Sequence, residues 1–202
     1  MKIKEIARLC KKRKRITVYR VGNTQWVSNG YAAYPLHGLP KLEEKSLFTM
    51  FDIPEESRDS YFYREEQVEP RDTGFPISFE DYFEQEEQAE PEELVISYFW
   101  ENLKGIRTSS GTVFFDSELL KPFDDDYNFY VRLSPQGVPY IAVKKGMILL
   151  GVIMIKDVLT PDILEKMRGF VSRCRLAYEN LAPKDEAEEN QIHFYQDGEG
   201  KE

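Results

Sequence analysis

The sequence predicts an α+β fold on three observations. Apolar residues recur at helical spacing near both ends, over residues 2–15 and 160–181. Between them lie short β-branched and aromatic runs, among them "ITVYRV", "QWVS" and "TVFFDS". Those runs are separated by turn-forming groups, Gly22-Asn23-Thr24, Asn29-Gly30, Ser109-Ser110-Gly111 and Ser134-Pro135-Gln136-Gly137, which join neighbouring strands into antiparallel meanders.

The elements follow in order. "KIKEIARLCKKRKR" reads as a helix with Ile3, Ile6, Leu9 and Cys10 on its apolar stripe and cations on its other faces. Its basic end suits a helix C-terminus, where the dipole favours cations. "ITVYRV", "QWVS" and "YAAY" form a small meander, with Trp26, Tyr31 and Tyr34 read as core and hairpin residues rather than ligand contacts. Residues 39–51 predict a short helix with Leu42, Leu47, Met50 and Phe51 inward. Residues 54–93, proline-containing and densely acidic, read as a partly disordered insertion whose aromatic rings pin it to the domain. "LVISYFWENL" suits a strand or a helix and is assigned as helix. Two hairpins follow, separated by a short helix "SELLKPF" with Ser117 as its N-cap. "MILLGVIMI" is apolar throughout, so it is a strand buried on both faces or placed centrally. A final helix opens at Thr160-Pro161, capped by Thr160. Its stripe is Ile163, Leu164, Met167, Phe170, Val171, Cys174 and Tyr178, and an acidic tail, residues 182–202, is expected to be disordered.

A 41% hydrophobic content in 202 residues supports a real core, while 31% charged residues leave part of the chain solvated. No apolar run is long enough to span a bilayer, so no membrane partner is expected. The first fifteen residues carry charge throughout and lead into no apolar block, unlike a secretory signal; a cytoplasmic protein is expected. In that setting Cys10 and Cys174 read as buried thiols. The net charge of −9 is segregated: residues 54–93 hold 15 acids and 3 bases, whereas residues 1–53 hold 11 bases and 4 acids. An anionic partner is therefore compatible with an acidic chain.

No serine-nucleophile elbow, phosphate loop or dinucleotide fingerprint is present, and two histidines far from any cysteine pair leave a zinc site short of ligands. Asp124-Asp125-Asp126 lacks the glycine and glutamate of a calcium loop and reads as a solvated turn. Asp116 and Glu118 read as helix-start acids. No enzyme chemistry, catalytic residue, metal or cofactor is expected. Two surfaces remain. Lys4, Arg8, Lys11, Lys12, Lys14 and Arg15 offer the clustered cations that duplex DNA needs, because each neutralised phosphate releases a counterion; the alternative is a solvated helix with a basic end. "FPISFEDYFEQEE" offers Phe75, Phe79, Tyr82 and Phe83 to a protein partner, or acts as a phosphate mimic; the alternative is that its rings pack locally.

The order of pieces, helix and three strands, then two strands, a short helix and three strands, is close to two copies of one helix-and-meander unit. It resembles a single domain of the DNA sliding clamps, the processivity rings of replication. "QWVSNGYAAYPL" is similar to the meander after such a domain's first helix, "TVFFDSELLKPF" to the pair opening its second half, and "VPYIAVKKGMILLGVIMI" to its closing hairpin. The resemblance implies two units about a pseudo-twofold, a DNA-facing first helix, replication or other DNA-processing proteins as partners, and assembly of several copies. The acidic insertion and the last helix have no counterpart in it. The expected organisation is thus a first unit over residues 1–53, the insertion over 54–93, a second unit over 94–159, the helix over 160–181 and the tail beyond. The expected function is a non-enzymatic clamp-like domain or adaptor in DNA replication or repair. The alternative is a protein-interaction or inhibitor module presenting its acidic aromatic loop.

Overall fold

Ile6, Leu9 and Cys10 are buried together, and this stripe is what makes Ile3–Arg13 a helix, α1. It ends at Lys14, which adopts the left-handed conformation (φ 48°) and donates its N–H to the Lys11 carbonyl, so a lysine fills the position glycine usually takes. In this computed structural model, which describes residues 1–69, 75–98 and 101–181, the chain divides into two compact units, Met1–Asp157 and Val158–Glu202.

The first unit is α+β, built on one ten-stranded sheet. Strands β1 (Arg15–Val21), β2 (Thr24–Ser28) and β3 (Ala32–Pro35) make the expected meander, and helix α2 (Glu44–Met50) follows. Then come β4 (Phe62–Val68), β5 (Glu87–Tyr98), β6 (Glu101–Thr108) and β7 (Gly111–Asp116). A 3-10 helix, Ser117–Leu120, leads to β8 (Asn128–Leu133), β9 (Pro139–Lys145) and β10 (Ile148–Met154). The strand order is β4-β1-β2-β3-β10-β9-β8-β5-β6-β7. Among the described residues, only β1 and β4 pair in parallel and every other pairing is antiparallel. The central run β1-β2-β3-β10-β9-β8 places two meanders edge to edge, each preceded by a helical segment.

Three expectations change. Residues 54–93 hold a 3-10 helix (Glu55–Ser60), all of β4 and the start of β5, so this acidic stretch supplies strands to the sheet rather than lying outside it. Backbone pairing to β1 and β8 outweighs the composition, and the many charges suit β4 because it is an edge strand, with Glu65 paired to Arg20. "LVISYFWENL" is strand, not helix: its described residues belong to β5 and β6, which pair through Val95↔Lys104 and Ile96↔Leu103. The cap before Glu118 is Asp116, whose carboxylate accepts the Glu118 N–H at 3.0 Å, rather than Ser117.

The sheet buries both faces. In β9, Ile141 and Val143 join the larger core with α1, α2 and Phe115, while Tyr140 and Ala142 join a second cluster on the other face. In β10 a bulge between Leu149 and Gly151 resets this alternation, so Leu149 and Val152 both reach the second cluster. Gly151 itself leaves no room for a side chain, since a Cβ there would lie 2.7 Å from the Phe123 ring. An all-apolar β10 is thus the expected central strand, between β3 and β9.

The second unit contains helix α3 (Pro161–Leu181), capped by the Thr160 hydroxyl accepting the Ile163 N–H at 3.4 Å. Cys10 is buried as expected, but Cys174 on α3 is exposed. The acidic tail lies outside the described residues. Among the described residues no helix is long and apolar enough to cross a membrane.

Candidate functional site

The acidic aromatic segment after residue 74 runs across the second face of the sheet as a strap. Phe79 is the anchor, 8% exposed, with its ring centroid 4.8 Å from Trp26, 5.3 Å from Tyr19 and 5.8 Å from Phe75. Aromatic pairs at these separations stabilise beyond their area alone. Polar ties accompany the rings: the Ser78 N–H donates to the Tyr140 hydroxyl at 2.9 Å, and the Leu149 N–H donates to Asp81 at 2.7 Å. The bulge of β10 lies between Leu149 and Gly151, next to the amide that Asp81 receives.

Beneath the strap lie two buried cations. Arg132 is fully buried and Lys144 is 2% exposed, and both share the Glu86 carboxylate, at 2.6 and 2.5 Å. Arg132 also donates to the Glu80 and Asp81 carbonyls at 2.9 and 3.3 Å and lies under the Phe83 ring, 5.3 Å from its centroid. Lys144 approaches the Tyr130 ring at 4.8 Å. A buried cation without a partner carries a large desolvation cost, so this arrangement fixes the strap in one place. Neither cation drew notice in the sequence. The signal was there: Arg132 and Lys144 share a strand face with Tyr130, Tyr140 and Ala142, and an inward-facing cation requires a carboxylate.

The strap does not cover the face completely. Between it, the β8–β9 turn and the ends of β1 and β4 is a cleft of about 730 Å³, lined by Val21, Val68, Phe75, Ile77, Phe79, Phe83, Leu133, Pro135 and Tyr140, with Glu69 and Glu80 as its carboxylates. That is within the roughly 300–1,000 Å³ range of binding pockets. Leu133, 49% exposed, continues the apolar surface at the turn. A second cavity of about 440 Å³ is bounded by Trp26, His37, Phe79, Asp81 and Tyr82. Phe75, Phe79 and Phe83, expected to reach a partner from a loop, are walls of the cleft; only Tyr82 is strongly exposed, at 65%.

The basic helix is partly neutralised within its own domain. Arg8 and Lys12 both pair with Glu118, at 3.4 and 2.5 Å, and Arg8 also pairs with Glu5. Arg13 bonds Glu101 at 2.7 Å and lies 4.6 Å from the Tyr31 ring centroid, while Lys156 pairs with the same carboxylate. Tyr31 is therefore an exposed ring between cations, unlike Trp26 and Tyr34, which are core. Lys4, Lys11, Lys14 and Arg15 form no ion pair among the described residues, and Arg15 stacks on Phe62 at 4.7 Å. These are four of the six cations expected to meet DNA.

Glu118 is the electrostatic centre of that face. The hydrogen bond from Lys12 holds its carboxyl down to about 2, against the opposing effect of burial and with help from Lys121 and Arg8. A depressed carboxyl adds stability that is fully present above its unfolded value near 4.5 and is lost as pH falls toward about 2. Unfolding by urea across that window is expected to show a steep acid loss in the parent chain and a shallower one in Glu118→Gln. Equal slopes would contradict the pairing.

Two aspartates of the 124–126 turn are separately engaged, Asp124 by the Met1 amino group at 3.2 Å and Asp126 by Lys145 at 2.7 Å. Among the described residues, no group of three or more His, Cys, Asp or Glu is placed to hold a metal ion. Compared with known proteins, the chain gives no match to a protein-family model, a curated protein or a solved structure.

Proposed function

We propose that this chain is a non-catalytic binding domain that captures a short apolar segment of a partner protein in the cleft beside the strap. One observation carries the reading: a large apolar cleft whose wall is held by a buried Arg132–Glu86–Lys144 cluster, a costly arrangement that keeps an open surface in a fixed shape. Glu69 and Glu80 on its lining favour a segment whose apolar residues are flanked by Lys or Arg. This develops the interaction-module reading of the sequence, with the acidic aromatic segment forming the receptor wall instead of the presented ligand. Phage-displayed peptides selected on the intact chain are expected to converge on an apolar core with a basic flank, and to lose binding to Leu133→Asp, an exposed change that leaves the core intact. Selection without a consensus, or peptides indifferent to Leu133→Asp, would sink this reading.

A clamp-like, DNA-facing role is the second reading, supported by the two edge-to-edge meanders and by Lys4, Lys11, Lys14 and Arg15 without carboxylate partners among the described residues. Four phosphate contacts would give duplex binding a log–log salt slope of roughly −3 to −4. Absence of binding at low salt removes this role.

A further inference from the structure

Helix α3 has 21 residues, none of them buried, and carries large apolar side chains in the open: Phe170 is 60% exposed, Val171 61% and Leu181 82%. A helix draws most of its stability from packing an apolar face, and Gly169 near the middle of this one weakens it further. Its apolar stripe contains a regularly repeating seam. Leu164, Met167, Val171, Cys174, Tyr178 and Leu181 alternate by three and four residues through the whole helix. This 3.5-residue period is that of a coiled-coil seam, with Leu164, Val171 and Tyr178 at the a positions and Met167, Cys174 and Leu181 at the d positions. The polar side is already satisfied as a solvent face, with Lys166 bonded to Asp162 at 2.7 Å.

We propose that α3 pairs with α3 of a second copy of this chain as a parallel, in-register coiled coil. The residues flanking the seam choose the occupant and the orientation. Arg168 and Arg175 occupy the e positions, while Ile163, Phe170 and Ala177 occupy g. An antiparallel pair sets e against e, bringing arginines of the two copies together, which is repulsive. A parallel pair sets g against e of the partner, so each Phe170 meets the partner's Arg175 and each Ile163 the partner's Arg168. Guanidinium groups stack on aromatic rings and lay their methylenes over apolar neighbours, so those contacts are favourable. The like-charged e positions thus select a parallel copy of the same helix.

The intact chain is expected to migrate in light-scattering chromatography at twice its monomer mass, and Val171→Glu to return it to monomer while Val171→Ile keeps the dimer. Parallel register also places the two Cys174 side chains in one layer. Treatment with the thiol oxidant diamide is therefore expected to yield a covalent dimer that Cys174→Ser abolishes. Cys10 is no competitor, since burial pushes its thiol up to about 12. A monomer at every concentration overturns the proposal, as does a dimer that survives Val171→Glu. A dimer that diamide leaves unlinked overturns the parallel register.

Discussion

Replacing Glu86 by alanine is expected to destabilise the first unit by about 3–5 kcal/mol, the usual consequence of breaking a buried ion pair from one side. The magnitude follows from what remains. Arg132 keeps the carbonyls of Glu80 and Asp81, but Lys144 loses the only hydrogen-bonding partner found for its ammonium group among the described residues. Two buried cations then face each other with no anion between them. Urea unfolding reads the loss directly. A second variant separates charge from packing: Glu86→Ala combined with Lys144→Met removes one stranded cation and is expected to recover part of the lost stability. No recovery would mean that Glu86 acts through packing alone.

Phe79→Ala is expected to cost about 3 kcal/mol or more, because the strap's most buried ring is removed from contact with Trp26, Tyr19 and Phe75. The same change removes a wall shared by both cavities. Trp26 fluorescence provides the readout: the indole moves from a buried aromatic cluster toward water, so its emission is expected to shift to the red in the folded variant. Unchanged stability and unchanged emission would contradict the anchoring role.

These two residues also mark where the sequence could be read and where it could not. The meander of β1 to β3, the hairpins β6–β7 and β8–β9, the central β10 and the capped α3 were legible because turn chemistry and side-chain period agree there. Residues 54–93 were not. Composition measures average solvation, and it does not report that one strand can be held by backbone bonds to β1 while its charges face water at a sheet edge. "LVISYFWENL" misled for a related reason, as a short apolar run carries no period that separates strand from helix.

At the candidate sites, residue type was informative and pairing was not. The cations of α1 were located correctly on its surface, yet Glu118 and Glu101 arrive from a 3-10 helix and a strand more than eighty residues away and neutralise several of them. Likewise, Phe75, Phe79 and Phe83 were singled out as binding residues, but their role as walls depends on Arg132 and Lys144, which anchor the strap from the far half of the chain. Deleting residues 54–93 to unmask the basic face, a natural design from sequence, would remove β4 and part of β5 and so dismantle the sheet.

The cleft exists only if the strap is a fixed wall of the fold, and amide hydrogen exchange on the intact chain tests this most directly. The N–H groups of Ser78 and Leu149, bonded to Tyr140 and Asp81, are expected to exchange as slowly as the central strands and to lose that protection together in Glu86→Ala. Rapid exchange across residues 75–86 in the parent chain would contradict it, leaving the acidic segment a solvated loop and the cleft without a wall.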